Sequence, residues 1–271
     1  MGLSSCIAFY ARYRHGADCD DDHRKAQAVY RRRGKCWAAA SLILTSLAAP
    51  AGADIQLRIA IFHTELSREG PGLLLRDILS GEDEQVTAVT NIVKQVDPDV
   101  LVLGDIDYDH DALALAALAR RLGEYPYQFM RAPNRGVQSG FDLDGDGRLG
   151  RAGDAWGYGV YAGQGGLAIL SKHPFGEAVD HSTLPWARLD DALILQSTPD
   201  THPLSTTAHW EVPVLLPNDQ HITLLTWHAT APVFDGPEDR NGRRNHDEAA
   251  FWVPRLNNAP PRNPIIAGFA N

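Results

Sequence analysis

"DVLVLGDID", residues 99–107, holds four consecutive apolar side chains at 100–103 and then turns polar at Asp105. A strand that is apolar at every position, rather than at alternate ones, is buried on both faces. Structure must therefore cover its sheet on both sides, which implies a layered fold.

Other segments extend that reading outward. "DIQLRIAIF" (54–62) alternates Ile55, Leu57, Ile59 and Ile61, a strand signal. "SGEDEQVTAVTNIVKQVDPD" (80–99) places Val86, Val89, Ile92, Val93 and Val96 at helical spacing, with Ser80 and Asp83 as a capping box and Pro98 as the stop. "ALALAALARRLG" (112–123) predicts a second helix closed by Gly123. A Gly- and Asp-rich loop fills 134–165, and "GLAILS" (166–171) is a second doubly buried strand. "TTAHWEVPV" and "HITLLTW" form a hairpin around "PNDQ", "RRNHDEAAFWV" reads as a helix, and "NPIIAG" is a last strand. Strands at 55–62, 99–103, 166–171, 221–227 and 264–268 are expected in the interior. No internal repeat or linker is visible.

Composition sets the frame. The chain has 271 residues, 44% hydrophobic and 22% charged, enough for one large domain. Its 24 glycines and 17 prolines indicate loops rather than disorder, since apolar segments recur throughout. Residues 1–53 differ from the rest. A basic stretch at 31–35 precedes an apolar one at 36–49, then small residues, with Ala51 and Ala53 placed for signal-peptidase cleavage before Asp54. The apolar stretch is short for a membrane span, and its alternative is a buried helix of the mature fold. Two segments follow: 1–53 as an N-terminal extension plus signal peptide, and 54–271 as the folded domain, secreted or periplasmic. Residues 1–28 have no role in that reading. Cys6, Cys19 and Cys36 all precede the cleavage point, so the mature chain has no disulfide framework and no thiolate metal site. Residues 54–271 carry 17 basic and 30 acidic residues, a net charge of −13. Such a surface repels a long nucleic acid backbone unless metal ions or a basic patch intervene.

Several strands end in polar residues: His63, Thr64 and Glu65 after "RIAIF", Asp105 and Asp107 after "DVLVL", His228 after "TLLTW", and Asn271 after "PIIAG". Each alone is simply the first exposed residue after a strand. Four together are the pattern by which layered sheets build a site at strand C-termini.

Over residues 55–271 these motifs, in this order, resemble the endonuclease/exonuclease/phosphatase family. "RIAIFHTEL" is similar to its opening strand, with His63 in place of the usual Asn. "DVLVLGDID" is similar to the strand ending in Gln-Glu, with Gly104 and Asp105 there. "GGLAILSKHPF" resembles the central strand, "LLTWHATAP" the one presenting a catalytic His (His228), and "IIAGFAN" resembles Gly-Asp-x-Asn, with Phe269 where Asp belongs. The resemblance implies an α+β fold, a four-layer α/β/β/α sandwich of two packed mixed sheets with its final strands missing. It implies a metal-dependent phosphoester hydrolase: Mg2+ or Mn2+ on Asp105, His228 donating to phosphoryl oxygens, Asn271 sharing that work or orienting water, and His63 beside them. Asp105 is one methylene shorter than the usual Glu, so an ion sits closer to the strand or a water bridges. The family's general base, a His held by an Asp, lies in a motif beyond Gly-Asp-x-Asn, so the chain is expected to be a truncated, impaired form of a longer hydrolase.

"DLDGDGRLGRAGD" (142–154) spaces Asp142, Asp144 and Asp146 before Gly147, like the first half of a calcium loop, with Asp154 near the position of the missing twelfth-place Glu. The reading is Ca2+ binding or a solvated acidic loop. Arg243 and Arg244 in "DGPEDRNGRRNHDE" either reach a phosphate or belong to a solvated helix start. The expected substrate is a phosphoester: a small molecule, a lipid headgroup or nucleic acid, with acidity favouring the first two. A monomer with no stable membrane insertion after cleavage is expected. The alternative function is a non-catalytic exported calcium-binding protein on the same fold.

Overall fold

The computed structural model describes residues 6–12, as backbone only, together with 56–217 and 219–271. The expected signal peptide and the boundary at 53/54 lie outside the described residues. The chain divides into two compact units, Met1–Tyr10 with Leu57–Asn271, and Ala11–Gln56. Almost all of the second is outside the described residues. No helix among the described residues is long and apolar enough to cross a membrane.

The first sheet has the order β1-β2-β3-β5-β4, built from β1 (Cys6–Arg12), β2 (Gln56–Leu66), β3 (Val100–Ile106), β4 (Tyr127–Met130) and β5 (Gly166–Ser171). β3 runs parallel to β2, with Ile59 opposite Val100 and His63 opposite Gly104, and antiparallel to β5. The second sheet has the order β6-β7-β8-β9, from β6 (Val179–Asp180), β7 (His209–Leu216), β8 (Gln220–Trp227) and β9 (Pro264–Ile266). β7 and β8 form the expected antiparallel hairpin, and β9 joins β8 in parallel.

The unbroken apolar run of β3 divides its side chains between two cores. Val100 and Val102, with Leu57, Ile59, Leu167 and Ile169, meet Trp210, Val212, Val214 and Leu224 of the second sheet. Leu101 and Leu103, with Phe62 and Leu170, meet α1 (Leu73–Ser80), α2 (Glu84–Val96) and α3 (Leu113–Leu122). On the far face of the second sheet, Leu225 and Trp227 pack on Trp252 of α5 (Trp252–Asn258), with Ala249 of α4 (Arg240–Ala250) against them. The result is four layers, helix, sheet, sheet, helix, as expected.

Local details differ from expectation in three places. The capping box of Ser80 with Asp83 does not form. Asp83 alone caps α2, accepting from Val86 N at 2.7 Å, while Ser80 ends a separate helix, α1, and donates to Asp77 O. Two left-handed glycines, Gly72 and Gly81, delimit that short helix. The strand at 264–268 is not interior: β9 is the edge of the second sheet, and Ile266 is 54% exposed. β1 lies beside β2, within the segment that the sequence assigned to an extension.

Candidate functional site

The parallel strands β2 and β3 end together in an irregularity. Their register slips between His63 and Leu66 and between Gly104 and Ile106, and Glu65 and Asp105 both adopt left-handed φ, 52° and 56°. Thr64 Oγ1, fully buried, donates to Gly104 O at 2.8 Å and ties the two ends. The kink carries Asp105 into a cavity of about 820 Å3, as such bulges commonly re-aim a side chain.

His63, Asp105, His228 and Asn271 all line this cavity. The rings of His63 and His228 stand edge to face, 5.4 Å between centroids. Phe269 pairs in parallel with His228, and its ring lies 5.7 Å from His63 and 5.1 Å from His228. It also covers Gly104: a Cβ built there would come 2.5 Å from the Phe269 ring. Two of the departures from the motif pattern, Gly104 and Phe269, therefore fill one another's space. Asn271 Nδ2 donates to Ala229 O.

His228 is 5% exposed, and Nδ1 has no hydrogen-bond partner to fix the tautomer. Burial pushes its pKa down to about 3, helped by the nearby Arg135 and His63 charges, so the ring is neutral at neutral pH. A neutral imidazole still carries one N–H to donate.

Asp105 is not free. Its Oδ1 accepts from Arg135 Nη1 at 3.2 Å. That nitrogen also donates to Gly165 O at 3.0 Å, and Arg135 Nε donates to Tyr158 O. Behind them, Asp107 is buried and takes Gly165 N at 2.9 Å and Arg68 N at 2.9 Å, while burial raises its carboxyl pKa against those bonds and that of Tyr161. Arg135, absent from the sequence-based candidates, sits in the glycine-rich loop, where no periodicity marks a position as inward.

Arg244 lines the cavity but is committed elsewhere. It is 6% exposed and donates to the carbonyls of Leu204, Trp156 and Pro203, at 2.9, 2.7 and 2.9 Å. Burial lowers even this guanidinium to a pKa of about 10. Arg243 donates to Glu238 O and does not reach the cavity. Arg240, not anticipated, lines the cavity and donates to Leu143 O.

Asp142, Asp144 and Asp146 bring their carboxylates within 4.8 Å of one another, all exposed. Their oxygens accept from loop amides, Asp142 from Gly145 and Gly147, Asp144 from Asp146, and Asp146 from Arg148. Asp154 stands apart. It is 1% exposed, and its two oxygens accept from Leu143 N and Arg151 N, so it holds the loop's shape.

The divalent ion implied at Asp105 finds a poor fit. Carboxylate oxygens suit Mg2+, which is content with one or two of them plus substrate phosphate. Here the carboxylate is already neutralised by Arg135, and Phe269 brings a ring where the motif would bring a second one. Among the described residues the one cluster of three acidic or imidazole ligands is the exposed Asp142–Asp144–Asp146 group. Around Asp105 a divalent cation would find one open carboxylate oxygen, Oδ2, with a guanidinium and a phenyl ring beside it.

The family model described as "Endonuclease/Exonuclease/phosphatase family" matches residues 77–268. No curated protein matches the chain. Similar solved structures include an endonuclease/exonuclease/phosphatase from Beutenbergia cavernae, at 17% identity, 75% of this chain, 44% of that one and TM-score 0.43. A double mutant of beta toxin from Staphylococcus aureus with bound magnesium ions has 17% identity, 79% and 64% coverage and TM-score 0.45. Sphingomyelinase C from Streptomyces griseocarneus has 19% identity, 79% and 64% coverage and TM-score 0.42. The chain spans 44% to 64% of the length of these three, and likenesses at these scores bear on neither substrate nor mechanism.

Proposed function

From the premise that the chain belongs to the endonuclease/exonuclease/phosphatase family, we propose that its cavity binds the phosphoryl group of a phosphoester and supports slow hydrolysis. One observation carries this reading: His63, Asp105, Arg135, His228 and Asn271 meet at one cavity at the ends of parallel strands. Neutral His228 donates its N–H to a phosphoryl oxygen, a bond that strengthens as charge builds in the transition state. Arg135 supplies positive charge beside it. His63, whose ring faces His228, takes the proton of the attacking water as its oxygen bonds phosphorus; the P–O bond to the ester's alcohol breaks, and the leaving oxygen takes a proton from solvent. Mg2+ or Mn2+, which the resemblance implies, has no step in this reading.

Turnover is proposed to be low because Phe269 contributes no carboxylate to polarise water. That same ring supports the second reading, a non-catalytic protein on this fold. Export to the periplasm or medium rests on residues 31–53 and is checked by N-terminal sequencing of the mature protein. The acidity of residues 54–271 supports a small phosphoester or a lipid headgroup as substrate and a monomeric state.

The test is hydrolysis of bis(p-nitrophenyl) phosphate by the full chain and by His228→Ala, each checked for folding by circular dichroism. Slow turnover that falls about a hundred-fold or more in the variant is expected. A folded chain no faster than His228→Ala would hand the assignment to the non-catalytic reading.

A further inference from the structure

We infer that Arg135 is a built-in counter-cation for Asp105, and that the cavity consequently binds a tetrahedral oxyanion without any divalent cation. This rests on the phosphoester reading of the same cavity and changes what that cavity requires.

The loop is shaped around this side chain. Gly136 and Gly165 have φ of 75° and 59°, in the left-handed region where glycine is favoured. A Cβ on Gly165 would fall 2.3 Å from Arg135 Nη1 and 2.7 Å from Asp105 Oδ1, and one on Gly136 would fall 1.7 Å from Tyr161 O. A side chain at 165 would separate the arginine from the aspartate. The anchoring continues inward, since Gly165 N donates to Asp107 and Gly165 O accepts from Arg135. Arg135 is therefore held from three sides, by Asp105, Gly165 and Tyr158. These bonds use Nη1 and Nε. Among the described residues Nη2 has no hydrogen-bond partner, and the side chain keeps 23% of its exposure on the cavity.

Charge balance agrees. Arg135 cancels Asp105, Arg240 faces the cavity together with Asp144, and the two cavity histidines with shifted pKa values, His202 and His228, are neutral. Arg244 leaves the wall with an excess of one positive charge. With Nη1 and Nε committed, the two N–H groups of Nη2 remain to donate to phosphate oxygens, on a guanidinium whose position is already fixed. Arg135 takes Oδ1 of Asp105, so a divalent ion would be left with Oδ2 alone and would sit beside a guanidinium that repels it. The ligand class is a phosphate or phosphate ester; a sulfate ester offers the same oxygens.

The experiment is calorimetric titration of the full chain with inorganic phosphate, in EDTA and in Mg2+. Equal affinity in the two, within about two-fold, is expected, with at least a ten-fold loss in Arg135→Gln and an intermediate loss in Arg135→Lys. Parallel titration with sulfate separates the two oxyanions. Binding of phosphate only in Mg2+ would overturn the inference while leaving the phosphoester reading intact. Failure to bind under either condition would overturn both. Undiminished affinity in a folded Arg135→Gln would remove the arginine from the site. The EDTA comparison needs no variant, so it decides the matter even if Arg135→Gln does not fold.

Discussion

The cavity has two walls made on different principles. One is the row of strand ends, His63, Asp105 and His228, whose positions follow from the ladder of β2, β3 and β8. The other joins the 134–165 loop to α4: Arg135, Arg240 and Arg244 are placed by hydrogen bonds between residues far apart in sequence, and Asp144 by a bond within its own loop. Two arginines show the contrast most plainly. Arg244 spends its donors on backbone carbonyls and holds the wall together, whereas Arg135 spends part of its charge on a cavity carboxylate and keeps the rest available. Lining a cavity is thus no measure of taking part in it; the partners of the side chain are.

Acid should strain both walls at once and have the largest effect. His202 and His228 in the cavity and His209 behind it have pKa values lowered to about 3, 3 and 4, chiefly by burial. The unfolded chain takes up protons near the ordinary histidine value of 6.5 that the folded chain refuses. Stability is therefore fully present above pH 6.5 and is lost as pH falls from there through about 4 for His209 and about 3 for His202 and His228. By pH 5 each buried neutral ring costs up to about 2 kcal/mol. Thermal unfolding at pH 7.5 and pH 5 should show a marked drop in Tm, and an unchanged Tm would show that these rings are not held neutral.

Arg244→Ala comes next and separates the two arginines. Leu204 O and Trp156 O would lose their donor, each at about 1–3 kcal/mol, while Pro203 O keeps His202 Nδ1, for a total of roughly 2 kcal/mol or more. Arg135→Gln breaks a partly exposed ion pair and frees Gly165 O and Tyr158 O where water can reach them, and should cost about 1 kcal/mol. Urea denaturation of both variants measures the gap, and equal losses would erase the distinction.

Within the strand-end wall, Gly104→Ala should cost about 1–3 kcal/mol, because its methyl group meets the Phe269 ring. Phe269→Ala in the same chain should return much of that loss. A double variant no more stable than Gly104→Ala would mean that the collision lies elsewhere.

The smallest effect belongs to the loop. Asp144→Ala is expected to change stability by less than about 0.5 kcal/mol and to abolish the heat of Ca2+ titration if Asp142, Asp144 and Asp146 take up the ion. Absence of heat in the unaltered protein would leave a solvated acidic loop.

The same division explains what was legible in the sequence. The run at 100–103 announced a doubly covered strand, and Asp105 and His228 could be found because a strand delivers its terminal residues to a known end. The helix at Leu73–Ser80 escaped notice because it spans only eight residues between glycines and has no side-chain cap. Arg135 and Arg240 escaped because their neighbours are 30 and 97 residues away along the chain, and nothing local encodes such pairings. Arg244 was noticed for its charge, but whether a guanidinium faces a ligand or a backbone carbonyl depends on packing that a linear pattern does not contain.

The interlocked pair at 104 and 269 also constrains the routes open to mutation. Consider a chain with a side chain at 104 and a carboxylate at 269, as in the pattern that this sequence resembles. If the phenylalanine arrives first, it collides with the existing side chain, since even a Cβ would lie 2.5 Å from the ring. If the glycine arrives first, it opens a void that the phenylalanine then fills. The two changes are therefore epistatic, with one passable order. Restoring a carboxylate at 269 alone would recreate that void beneath two imidazoles, so an engineer seeking faster chemistry must change 269 first and refill position 104 second.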